Sequence, residues 1–196
     1  MAREKDSYLH SIHCSEFRFN GFTLLELMIT LSILSVLLMT AAPSFTQLLE
    51  KNKVKNISAD IEGFLLQAKS ESVMRNEPLK VKYIRDSGDI TEYHNDGQWV
   101  LALLPASSVA STISNAKSDA IQIILGNKYK GINFKVSMSS YLTMDASRGT
   151  PNTTGQFYFY ITDSSKEVQV ILNRLTGRIR SCSVASGGAY EFKPCS

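Results

Sequence analysis

Between Glu26 and Glu50 the chain has no charged residue, and positions 22–42 (F-T-L-L-E-L-M-I-T-L-S-I-L-S-V-L-L-M-T-A-A) are mostly apolar with a single carboxylate. As a helix this segment is about 30 Å long, enough to cross the hydrocarbon core of a bilayer. A helix apolar on every side does not suit the surface of a small globular protein. A secretory signal would have an apolar region of about 7–15 residues ending at an A-x-A-like site. Here the run is longer, and its small residues, Thr40-Ala41-Ala42, lead into Pro43. Glu26 is then the anomaly: a carboxylate within lipid costs about 2.5–3.5 kcal/mol and calls for a partner. Gly21-Phe22 offers one. Cleavage after Gly21 would leave a free amine on Phe22, four residues before Glu26, a separation of about one helical turn. The other reading is a plain N-terminal anchor with Glu26 at the membrane interface.

Beyond Pro43 a helical period continues. Val54, Ile57, Ile61, Phe64, Leu65 and Ala68 fall on one face, and the helix is expected to end near Arg75-Asn76, ahead of Pro78. From Leu79 the period drops to two. Strands are expected at 80–84, 90–94, 99–104, 121–125, 132–138, 156–162, 167–172 and 177–183, with turns at Asp86-Ser87-Gly88 and Asn95-Asp96-Gly97. Residues 107–118 read as a loop or short helix, and 144–155 as a long surface loop. One long helix followed by about eight short strands predicts an α+β fold, with antiparallel sheet or a sandwich packed on the helix.

The net charge of +3 is unevenly placed. Residues 166–196 hold five basic and two acidic side chains, so the entire surplus lies there. Within N173-R-L-T-G-R-I-R-S-C182, Thr176-Gly177 reads as a hairpin turn. Alternation along the following strand sends Arg178 and Arg180 to one side and Ile179 to the core. Arg174 lies across the turn, and Lys193 can approach the same surface. Guanidinium groups are permanently charged and donate paired hydrogen bonds to phosphate, so a rigid edge of them can hold a DNA backbone without reading sequence. A solvated basic edge or a filament contact is the alternative. Cys182 and Cys195 enclose a short segment, which in an exported domain suggests a disulfide stabilising by roughly 3 kcal/mol. Two reduced thiols would be expected in the cytosol, and Cys14 stands apart before the apolar run.

No catalytic set or metal-ligand spacing stands out. His94 is the one histidine after Gly21, and Asp86 with Asp89 reads as a polar turn. No cofactor and no enzymatic activity are expected.

The leader G-F-T-L-L-E-L followed by an apolar helix resembles the class III signal of type IV pilins and type II secretion pseudopilins. The resemblance implies a leader at 1–21, removed by a prepilin peptidase between Gly21 and Phe22, and N-methylation of Phe22. It implies an assembly role for Glu26, a membrane and filament-core half-helix at 22–49, kinked at Pro43, and a periplasmic domain at 50–196. The leader departs from the usual pattern in its length and in having Phe19-Asn20, not a basic residue, before the glycine. D-A-S-R-G-T-P, an aromatic strand, and then L-T-G-R-I-R resemble the C-terminal half of the GspH/FimT family of minor pilins and pseudopilins. FimT-type members carry a G-R-x-R motif that binds DNA during uptake for natural transformation. Gly177, Arg178 and Arg180 match it, with Arg174 and Lys193 as accessory residues. The implied partners are DNA, other pilin subunits, the peptidase and the inner membrane, with assembly into a pilus at the cell surface. The alternative is a GspH-type pseudopilin of a type II secretion system that does not bind DNA.

Overall fold

The computed structural model describes residues 21–138 and 140–195, and only the backbone at 40–44. The expected leader residues 1–20, Cys14 among them, and the Pro43 side chain lie outside the described residues. The chain divides into two units, Met1–Ser44 and Phe45–Ser196. Helix α1 (Leu24–Arg75) supplies residues to both.

In the first unit, Thr23 starts the helix. Its hydroxyl accepts from the Glu26 amide at 3.2 Å, and its carbonyl accepts from the Leu27 amide at 3.1 Å. T-L-L-E is therefore a capping sequence, with a threonine oxygen satisfying a first-turn amide that has no intrahelical partner. Phe22 precedes the first helical turn and is 79% exposed. From Leu24 to Met39 the large apolar side chains are exposed around the whole helix. No helix among the described residues is long and apolar enough to cross a membrane. The expected span runs to position 42, and its last three side chains lie outside those described.

In the second unit, the remainder of α1 buries the predicted stripe. Val54, Ile57, Ile61, Phe64, Leu65 and Ala68 are all at most 1% exposed. Arg75 ends the helix, and Asn76 leaves it with φ 52°, a left-handed conformation that asparagine tolerates. Eight strands follow: β1 (Leu79–Ile84), β2 (Val100–Pro105), β3 (Gln122–Leu125), β4 (Asn133–Ser137), β5 (Leu142–Met144), β6 (Gly155–Tyr160), β7 (Val168–Leu172) and β8 (Ile179–Ser183). They form two four-stranded antiparallel sheets, in the orders β3-β2-β1-β5 and β4-β6-β7-β8.

Seven of the expected strands are present, with ends displaced by a residue or two. The eighth, at 90–94, is not. Asp89 holds that segment as a turn, accepting from the Thr91 amide and hydroxyl, both at 2.8 Å, while His94 Nε2 meets the Asp89 carbonyl at 2.6 Å. Only His94 reaches a strand, in an isolated bridge to Phe134. In its place the short β5 pairs with β1 through Leu142–Val81 and Met144–Leu79.

The two sheets differ in how their faces are covered. The α1 stripe, the inner face of the first sheet (Val81, Leu101, Leu103) and that of the second (Phe134, Phe157, Phe159, Val168, Val170, Leu172) share one core. The other face of the first sheet (Ile84, Val100, Ala102, Leu104) packs against Ala116 of the short helix α2 (Ile113–Asp119). Burial on both sides explains why β2 reads V-L-A-L-L-P without alternation. No helix covers the other face of the second sheet, and β6 alternates buried and half-buried along its whole length. On that face Gln169 and Cys182 are buried, with Gln169 donating to Cys195 of the tail, and the rest of the face is available for contact.

Long-range polar contacts fasten the domain. Glu191 near the C-terminus accepts from Lys51 and Lys55 on α1, and these hydrogen bonds hold its carboxyl down at about 2. Asp60 of α1 accepts from Lys128 and Tyr129, and Ser181 of β8 contacts Ser58 and Glu62.

Candidate nucleic-acid interface

The hairpin between β7 and β8 is built by its own sequence. Asn173 donates its amide to the Arg178 carbonyl at 2.9 Å, and its carbonyl accepts from Gly177 at 2.9 Å. The Asn173 side-chain oxygen accepts from the amides of Leu175 and Thr176, at 2.9 and 3.1 Å. The Thr176 hydroxyl accepts from the Arg178 amide at 3.2 Å. Gly177 supplies the left-handed step with φ 62°, and Lys69 of α1 donates to its carbonyl at 2.6 Å. The turn is thus rigid in itself and pinned to the helix.

The D-A-S-R-G-T-P turn docks on the same stretch of α1. Asp145 accepts from Ser147 and from the Arg148 amide, contacts that lower its pKa. Gly149, with φ 62°, sits where an added Cβ would lie 3.2 Å from the Lys69 carbonyl. Gly177 is equally confined: a Cβ there would lie 3.2 Å from Lys69 Nζ and from Thr150 Cγ2. Gly177→Ala is expected to destabilise by about 1 kcal/mol through backbone strain and crowding, read as a lower midpoint in thermal denaturation.

Arg178 and Arg180 line one groove of about 460 Å³ on the open face of the second sheet, together with Thr154, Gln156, Ile171, Asn173 and Thr176. Ile179 packs against the core. Arg178 is exposed and Arg180 half-buried. The register explains the grouping: Arg180 pairs with Ile171, Ile171 with Gln156, and Gln156 with Ser137, a row that crosses all four strands on one face. Arg174 and Lys193, both exposed, are not among the residues lining this groove. The Arg174 amide donates to Thr154 Oγ1 at 3.2 Å, which places its backbone at the rim.

Cys182 and Cys195 form a disulfide with Cα atoms 5.0 Å apart. The tail it returns makes two further main-chain bonds to β8, Ser183 to the Lys193 carbonyl at 2.8 Å and Cys195 to the Ser183 carbonyl at 2.9 Å.

A second depression of about 550 Å³ adjoins the first, sharing Thr154 and Gln156 and continuing to Lys135 and Tyr158. These two residues were not anticipated as site residues. The alternation in N-F-K-V-S and Q-F-Y-F-Y does place them on the face opposite Phe134 and Phe157. That these strands neighbour β7 and β8 is a matter of pairing. No group of three or more His, Cys, Asp or Glu able to hold a metal ion occurs among the described residues.

Two family models match the chain. One, the prokaryotic N-terminal methylation motif, matches residues 17–42. The other, type II transport protein GspH, matches residues 58–176, more than half of the sequence. The chain belongs to the GspH family. A methylation motif followed by a GspH domain marks it as type IV pilin-like, a minor pilin or GspH-like pseudopilin. The GspH match ends at Thr176, immediately before Gly177, Arg178 and Arg180.

Two crystal forms of the Pseudomonas aeruginosa type IV minor pilin FimU resemble the fold. One aligns with TM-score 0.49 at 16% identity, covering 67% of this chain and 89% of FimU. The other aligns with TM-score 0.47 at 14% identity, covering 65% and 90%. No curated protein matches the chain.

Proposed function

We propose that this GspH-family chain is a minor pilin whose globular unit holds DNA non-specifically during uptake for natural transformation. The reading rests on one observation above all: Arg178 and Arg180 line a common groove that has no acidic residue in its wall. Two permanently charged forks carried by a pinned hairpin are suited to paired hydrogen bonds with phosphates. Gly177 shapes the hairpin, and Arg174 at the rim and Lys193 on the tail add positive charge nearby.

The N-terminal part of the proposal follows from the methylation motif. A prepilin peptidase cleaves after Gly21 and Phe22 is methylated. The apolar helix anchors the subunit in the inner membrane before packing with other pilin subunits in a filament. Glu26 meets the new amine of its own chain or of a neighbour, since its carboxylate requires a cation in so apolar a setting.

The test is a titration of full-length protein, in detergent, with labelled duplex DNA across a salt series. Arg178→Gln with Arg180→Gln is expected to weaken binding at least tenfold and to reduce the salt slope by about 1.8, or 0.9 for each lost phosphate contact. Binding as tight as wild type would remove the arginines from the account.

The description of the matching family favours a second reading, a type II secretion pseudopilin with no nucleic-acid role. Under it, a deletion strain loses exoprotein secretion and keeps transformation.

A further inference from the structure

Opposite the arginines, at the other edge of the same sheet, lies a basic and aromatic cluster that the hairpin motif does not include. Lys135 on β4 stands over the ring of Tyr93 at 4.3 Å and over that of its cross-strand partner Tyr158 at 4.9 Å. Tyr93 in turn meets Tyr160 edge-on, with ring centroids 5.0 Å apart. All three tyrosines are half-buried: seated firmly, with part of each surface open. The Tyr158 hydroxyl donates to Gln156 Oε1 at 3.0 Å, and Gln156 lines both depressions. The two depressions therefore form one track across the sheet, from Arg178 and Arg180 through Thr154 and Gln156 to Lys135 and Tyr158. Its walls contain three cations and no carboxylate.

We infer that this track is a binding site for a single strand of DNA, held by phosphate contacts at both ends and by stacking of a base on Tyr158, which Lys135, Tyr93 and Tyr160 buttress. The inference rests on the reading of the arginines as DNA ligands and extends it. Charge identifies a polyanion, and the rings identify one that carries exposed flat bases. A duplex presents phosphates to such a surface and keeps its bases stacked within, so the tyrosines add nothing to duplex binding. A single strand offers both groups at once, which is how aromatic sheet faces and charged grooves hold single strands elsewhere. The scale fits as well. Three strand spacings separate β8 from β4, about 14 Å, a distance an extended strand covers in a few nucleotides.

The experiment compares a labelled oligothymidylate with a duplex of equal length, titrated against full-length protein in detergent. Wild type is expected to bind the single strand more tightly. Lys135→Gln with Tyr158→Ala is expected to weaken single-strand binding roughly tenfold or more while duplex binding falls far less. Lys135→Gln alone, on a half-buried surface residue, is expected to lower the single-strand salt slope by about 0.7, which keeps the test open if the double variant folds poorly. Tyr158→Phe, retaining the ring, is expected to lose far less than Tyr158→Ala. Single-strand binding equal to wild type in the double variant overturns the inference, and so does an equal loss on both probes. If the double arginine variant loses duplex binding while the Lys135 and Tyr158 variants hold the single strand normally, only this extended site fails. If the arginine variant also binds normally, the DNA reading fails with it.

Discussion

Phe134→Ala is expected to lower the unfolding free energy by about 4 kcal/mol, the largest effect of any single substitution considered for this domain. Phe134 is fully buried on β4. Its ring stacks on Trp99 at 4.4 Å, with Tyr83 tilted against it at 5.5 Å. Trp99 and Tyr83 belong to the first-sheet side of the core, and Phe134 to the second sheet, so this stack joins the two. Removing the ring leaves a cavity against two large rigid neighbours that cannot collapse to fill it, the circumstance in which truncation costs most. For a domain of this size the loss corresponds to about 10 °C in melting temperature. Phe134→Leu retains most of the volume and is expected to cost less than half as much. Thermal denaturation followed by near-ultraviolet circular dichroism reports both stability and the aromatic environment. Equal midpoints for wild type and Phe134→Ala would show that the two sheets are held together by other contacts. Because Lys135 is the next residue, the same variant is expected to disturb the tyrosine end of the binding track.

The second large effect concerns the tail. Reducing the Cys182–Cys195 bond, or replacing both cysteines by serine, is expected to cost about 3 kcal/mol, as for closure of a loop of this length in the unfolded chain. The tail then rests on its two main-chain bonds to Ser183, on the packing of Ala189, Tyr190 and Phe192 against the core, and on the exposed, weak clasp of Glu191 with Lys51 and Lys55. β8 is the edge strand of its sheet and carries Arg180, so loosening the tail is expected to reduce DNA affinity without touching an arginine. Melting wild type and the double serine variant with and without reductant separates the causes. Reductant is expected to lower the midpoint of wild type to that of the variant and to leave the variant unchanged. A wild-type midpoint indifferent to reductant would show that the bridge contributes nothing.

Much of this molecule is legible along the chain because the relevant interactions are local. The six-residue stripe on α1 follows from a 3.6-residue period and is buried as read. Thr176-Gly177 makes its hairpin because asparagine, threonine and glycine at those positions satisfy the turn among themselves. The methylation motif is legible for the same reason: its meaning lies in consecutive residues.

The departures have one local and one long-range cause. The 90–94 segment alternates as a strand does, yet the Asp89 carboxylate takes the Thr91 amide and hydroxyl, so the chain turns and only His94 bridges to β4. Leu142–Met144 is too short to announce itself and becomes a strand because β1 offers an open edge.

The arginines, the leader motif and the α+β class are properties of the chain as written, since each depends on residue type, spacing and period. That Lys135 and Tyr158 share a face with Arg180, and that no helix covers this face while the first sheet is covered on both sides, depends on which strands pair and where α2 lands. Those choices are made by the free energy of the whole core, to which every strand contributes and which no single segment contains.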